Sequence, residues 1–192
     1  LLQGEMYYSQ DIKGPKPCIL VAHAWMGQDD FARSKARSLA SLGYVGFAID
    51  FYGNAKLARS NEEAAALMVP LFMDRALLLS RLKAAFEVAC QHPEVDAKKI
   101  GGIGFCFGGL SIIELFRSGV DMRAAVSFHA LLGDHHGGKK AKTVPIAQGI
   151  KGSLLILHGH DDPMVSADDI AKCQKELTDA QVDWQMKVSV NT

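Results

Sequence analysis

The sequence has no excess of either charge. Among its 192 residues Lys+Arg and Asp+Glu each number 21, for a formal net charge of zero. A protein that lives on phosphate contacts shows a basic surplus or stripe, and here no run of Lys or Arg exceeds two residues. Nucleic acid is therefore not an expected partner. Long apolar runs are also missing. Cys18 to Ala22 and Ser153 to Leu157 have core-strand length, far short of the ~18 residues of a membrane span, so no membrane contact is expected. No leader-like segment is visible. The first residue is Leu1 rather than Met, so the expectation is a chain truncated at both ends, and an upstream signal stays open. The four cysteines, Cys18, Cys90, Cys106 and Cys173, have neither CxxC nor metal-ligand spacing. They read as reduced thiols of a cytoplasmic protein.

What the sequence does have is alternation. Short β-rich runs are separated by longer helical patterns, the sign of a parallel sheet with crossover helices. Strands are expected at residues 2–9, 17–23, 44–50, 99–104, 124–129, 153–158 and 183–190. A helix capped by Asp29 or Asp30 carries Ala32, Ala36, Leu39 and Ala40 on one face and stops at Gly43. Ser60 or Asn61 opens a short helix that Pro70 should interrupt. A longer one over 71–90 follows, with the stripe Leu71, Leu78, Leu82, Ala85 and Ala89. Helices over 107–117 and 166–180 and a polar loop over 134–149 complete the pattern. No composition shift marks a second domain within 1–192, and the length suits one.

Three segments carry chemistry. Between a strand and a helix lies Gly104-Phe-Cys106-Phe-Gly108, the nucleophile-elbow spacing with Cys at the apex. Gly104 and Gly108 let the backbone cross itself without Cβ clashes. The apex thiol then sits at a helix N-terminus, which should lower its pKa, and the Phe107 N–H is placed to bind a developing oxyanion. Neither a dinucleotide fingerprint nor a phosphate loop fits, because the third glycine would fall at Phe107 and no Gly-Lys-Ser/Thr follows.

The second segment, Leu157-His-Gly-His-Asp-Asp-Pro-Met-Val165, follows a buried strand. Chain order in elbow hydrolases is nucleophile, acid, histidine. Asp162, just before Pro163, is therefore the expected orienting acid, in preference to Asp161. His158-x-His160-x-Asp162 superficially resembles a zinc-hydrolase motif. Pro163 stands where the next histidine is expected and no His follows His160, so no metal is expected. The third segment, Val21-Ala-His-Ala-Trp-Met-Gly27, ends an early strand. Its Trp25 N–H is the expected second oxyanion donor, while the side chains of His23 and Trp25 are as readily core packing.

Taken together, His23 to Gly27, Leu42 to Gly53, Ile103 to Gly109, Val126 to His129 and Leu157 to Val165 resemble the dienelactone hydrolase family. The resemblance spans nearly the whole chain, and Val182-Asp-Trp-Gln is similar to the family's last strand before its catalytic histidine. It implies a three-layer α/β-hydrolase fold with a mostly parallel sheet. It also implies cofactor-free cleavage of small-molecule esters or lactones through a Cys-His-Asp triad and a thioester. Two departures stand out. Many members carry Glu where this chain has Ala24, and the segment after Gly53 offers Lys56 and Arg59 with no clear counterpart of the family's substrate-binding arginines. All seven histidines precede Asp162, so the catalytic histidine is expected beyond the displayed chain. Thioesterase or acyl-transfer chemistry on the same triad, or a non-catalytic thiol module for redox sensing or binding, are the competing readings.

Overall fold

The computed structural model describes residues 1–190. The elements, in chain order, are β1 (Glu5–Tyr7), β2 (Lys16–Ala22), α1 (Asp30–Ser41), β3 (Val45–Ile49), α2 (Asn61–Met73), α3 (Arg75–Gln91), β4 (Val95–Phe105), α4 (Phe107–Arg117), β5 (Ala124–Phe128), β6 (His135–His136), β7 (Lys139–Lys140), β8 (Ser153–Gly159), α5 (Ala167–Asp179) and β9 (Asp183–Ser189). Seven strands form one sheet in the order β1-β3-β2-β4-β5-β8-β9. Only β1 is antiparallel to its neighbour; the other pairings are parallel.

The central strands are apolar because both faces are covered. On β2, Cys18, Leu20 and Ala22 point into the larger core with Leu78, Leu82, Ile112 and Leu115 from α3 and α4. Val21 points the other way, toward Ala32 and Ala36 of α1. Helices thus cover both faces, with α1 on one and α3, α4 and α5 on the other. The expected stripe Leu71, Leu78, Leu82, Ala85 and Ala89 is buried throughout, but the long helix starts at Arg75 rather than at 71, so Leu71 falls on α2.

Local signals explain most element ends. Asp29 caps α1, its carboxylate accepting the Ala32 N–H at 3.0 Å, and Gly43 leaves the helix at φ +92°. Ser166 caps α5 in a reciprocal box with Asp169. Two expectations fail. Pro70 does not interrupt α2, which runs on to Met73. The ring sits in the last turn, and the break falls at Asp74, whose carboxylate caps α3 through the Leu77 N–H at 3.0 Å. The expected loop over 134–149 contains the small antiparallel hairpin β6–β7, closed by the left-handed glycines Gly137 and Gly138.

The segment between β5 and that hairpin is tied to the helices by a buried arginine. Arg75 donates to the Phe72 carbonyl (2.7 Å), to Glu114 (3.1 Å) and to the Gly133 carbonyl (3.1 Å). Glu114 also accepts from Arg117 at 3.0 Å. No helix among the described residues is long and apolar enough to cross a membrane.

At Gly46 in β3 a Cβ would lie 2.0 Å from the Ala36 carbonyl oxygen of α1. Neither backbone can yield without separating helix from sheet. Gly46→Ala is expected to lower stability by about 2 kcal/mol or more, seen as a lower urea midpoint at unchanged m-value.

Candidate active site

The sheet reverses its winding between β2 and β4. The chain leaves β2 for β3 on one side and β4 for β5 on the other. In such sheets the crevice at the carboxyl ends of the two strands receives ligands. Both the Trp25 loop and Cys106 lie there, directly after β2 and β4.

Cys106 is the hinge between β4 and α4, at φ 55° and ψ −118°. That is strained backbone for a residue with a Cβ. It is held from both sides: Cys106 N–H donates to the Phe128 carbonyl of β5 at 3.0 Å, and its own carbonyl accepts from Leu110 N–H at 3.2 Å. The flanking glycines are required by contact. A Cβ at Gly104 would lie 2.0 Å from the Gly108 carbonyl oxygen, and one at Gly108 would lie 2.2 Å from that of Ala22 and 2.5 Å from that of His23.

The electrostatics correct the sequence expectation. Burial pushes the Cys106 thiol above its ordinary value. The Phe107 N–H bonded to it pulls back, and the Asp162 charge pushes it further up. Desolvation therefore outweighs the helix terminus. Burial drives Cys18 and Cys173 up to about 12. Tyr52 also titrates high, first from burial and then from the charge of the neighbouring Cys106 thiolate. Ala24 itself offers no polar side chain to the thiol.

The loop after β2 is heavily pinned. The Ala24 carbonyl accepts from His23 Nδ1 at 2.7 Å and from Gly27 N–H at 3.2 Å. The Trp25 carbonyl accepts from the Tyr52 hydroxyl at 2.8 Å, and the Met26 carbonyl from Ala58 N–H at 2.9 Å. Tyr52 is itself set by Asp50. This buried carboxylate accepts Tyr52 and Gly53 N–H on one oxygen and Gln3 and Ala55 N–H on the other, all at 2.8–3.0 Å. Burial holds His23 neutral, with its pKa lowered to about 4.

Asp162 lies in the turn after β8, half-buried, while Asp161 is exposed. Its carboxylate accepts Met164 N–H at 2.9 Å, and its charge is felt at Cys106 and at His158. His158 is buried with both ring nitrogens unpartnered, and His160 is exposed, so the two do not share a site. No group of three or more metal-ligating side chains occurs among the described residues. No histidine among them is hydrogen-bonded to Cys106 or Asp162. The base expected after β9 lies outside the described residues. Lys56 and Arg59 are exposed.

A largely parallel sheet that presents a thiol elbow at its switch point is the architecture of an α/β hydrolase. The solved structure of a dienelactone hydrolase-like promiscuous phosphotriesterase from metagenomic libraries superposes with a TM-score of 0.88 at 33% identity, covering 98% of this chain and 76% of that one. The chain belongs to the dienelactone hydrolase family, whose model matches residues 3–191, and is thereby a lactone or ester hydrolase. A Bradyrhizobium protein named as a probable 2-oxo-3-(5-oxofuran-2-ylidene)propanoate lactonase is 25% identical over 91% of this chain and 71% of its own. A carboxymethylenebutenolidase by name from Synechocystis is 28% identical over 90% of this chain and 72% of its own. Another from Methylorubrum extorquens, also 28% identical, is matched over 52% of its length.

Two measurements check these electrostatics. Iodoacetamide at neutral pH should alkylate Cys106 well before Cys18 and Cys173, with an inflection in rate above the ordinary thiol value. Mass mapping in which Cys18 or Cys173 reacts first contradicts it. The second is acid stability. An unfolded histidine binds its proton near 6.5, and His23 in the fold near 4. Between those values the unfolded state holds more protons, so stability falls with falling pH, by up to about 3 kcal/mol. Urea titrations at pH 7 and 4.5 should show that loss, reduced in His23→Asn.

Proposed function

We propose that Cys106 is the nucleophile of a cofactor-free hydrolase acting on a small-molecule ester or lactone. The observation that carries this reading is the strained elbow at the switch point, with the Phe107 N–H on the thiol.

Because burial keeps Cys106 protonated, attack needs a base. In the proposed sequence a histidine, supplied from outside the described residues and oriented by Asp162, takes the thiol proton as sulfur bonds to the carbonyl carbon. The carbonyl oxygen becomes an oxyanion held by the Phe107 and Trp25 N–H groups. Collapse breaks the C–O bond, and the alkoxide leaves with the proton from the imidazolium. For a lactone it stays tethered to the acyl group. Water then gives a proton to the histidine, adds to the thioester and expels the Cys106 thiolate, which takes that proton back from the imidazolium.

Two aspartate variants test the acid. Asp162→Asn in the full-length protein should fold normally and lower kcat on p-nitrophenyl acetate by ~10²–10⁴-fold, since the histidine loses its orienting carboxylate. Asp161→Asn should change it little. A larger loss at Asp161 would move the acid by one position.

A further inference from the structure

We propose that His23 is a positioning residue of the oxyanion site: its ring grips the Ala24 carbonyl and so aims the Trp25 N–H. The inference rests on the reading of Trp25 N–H as the second oxyanion donor.

The Ala24 carbonyl and the Trp25 N–H belong to the same planar, trans peptide unit. They point in opposite directions, so fixing one fixes the other. His23 Nδ1 lies 2.7 Å from the Ala24 oxygen. A carbonyl only accepts, so the proton is on Nδ1. Nε2 is then a bare lone pair, and it is buried with no partner. A buried acceptor left unpaired is costly, so the ring's placement is set by its other contacts. Phe51 stacks on it at 3.7 Å and 7°, and Tyr52 packs edge-on at 4.7 Å.

The same aromatic pair controls the next peptide, because the Tyr52 hydroxyl donates to the Trp25 carbonyl at 2.8 Å. Two consecutive carbonyls are thereby clamped, and the Trp25 N–H donates to no acceptor among the described residues. The clamped loop also faces the other donor. A Cβ at Gly108, one residue after Phe107, would lie 2.5 Å from the His23 carbonyl oxygen. His23 does not serve as a base here. Nδ1 is engaged, Nε2 is enclosed, and burial keeps the ring from accepting a proton near neutrality.

Steady-state kinetics of the full-length protein with p-nitrophenyl acetate test this. His23→Phe keeps a ring but no donor. It should lower kcat by about 10–10²-fold, part of the cost of losing an oxyanion donor outright, with KM within about twofold. His23→Asn, whose amide can take the place of Nδ1–H, should recover most of kcat, and His23→Gln, whose amide reaches farther, should not. If His23→Phe does not fold, as judged by thermal unfolding, the Asn–Gln contrast decides. Equal kcat in wild type and His23→Phe overturns the proposal, as do equal losses in the three variants, which mean packing alone. Cys106→Ala separates the two levels. Lost turnover there beside a fully active His23→Phe removes only the role of His23, while retained turnover in Cys106→Ala removes the proposed nucleophile and with it the oxyanion site at Phe107 and Trp25.

Discussion

A methyl group at Gly108 would come within 2.2 Å of the Ala22 oxygen, and one at Gly104 within 2.0 Å of the Gly108 oxygen. Three backbone segments, the ends of β2 and β4 and the first turn of α4, meet where no side chain fits. The elbow geometry follows from that approach. Cys106 is forced into a left-handed turn, its thiol is lifted over the strand end, and the first amide of α4 turns toward the sulfur. The strain is of order 1–3 kcal/mol, and it is offset by the β5 and α4 hydrogen bonds that anchor residue 106 on both sides.

Around this crossing the fold is organised in tiers. Asp50 uses both carboxylate oxygens to collect four backbone N–H groups, which fixes the turn carrying Phe51 and Tyr52. Those rings enclose His23, whose Nδ1 bonds the Ala24 carbonyl, while the Tyr52 hydroxyl bonds that of Trp25. On the opposite rim, Arg75 and Glu114 join α3 and α4 to the segment after β5. A buried pair of this kind contributes little net stability but is costly to break, so it favours one arrangement of the rim.

The sequence made the sheet and the elbow readable because both rest on local rules. Helix α4 begins and ends where its glycines and its periodicity place it, and the Asp162 turn follows from Gly159 and Pro163 after an apolar strand. Pro70 was misread because its cost depends on position: in a last turn it removes one bond from a helix about to end. The hairpin β6–β7 was hidden by its two-residue strands. The direction of the Cys106 shift could not be read, since it is set by how deeply Phe107, Tyr52 and the strand ends bury the thiol. Asp50 left one signal, a lone carboxylate closing an apolar strand just before Tyr52 and Gly53. Its four-way clamp needed the fold to bring Gln3 to it.

The central claim is a thioester at Cys106. Mixing the full-length protein with p-nitrophenyl acetate, quenching in acid within the first turnover and mapping the peptides by mass tests it directly. The account predicts a single acetyl adduct on Cys106 that hydroxylamine removes. A burst of p-nitrophenol with the acetyl group on another residue, or with no covalent adduct at all, would contradict it.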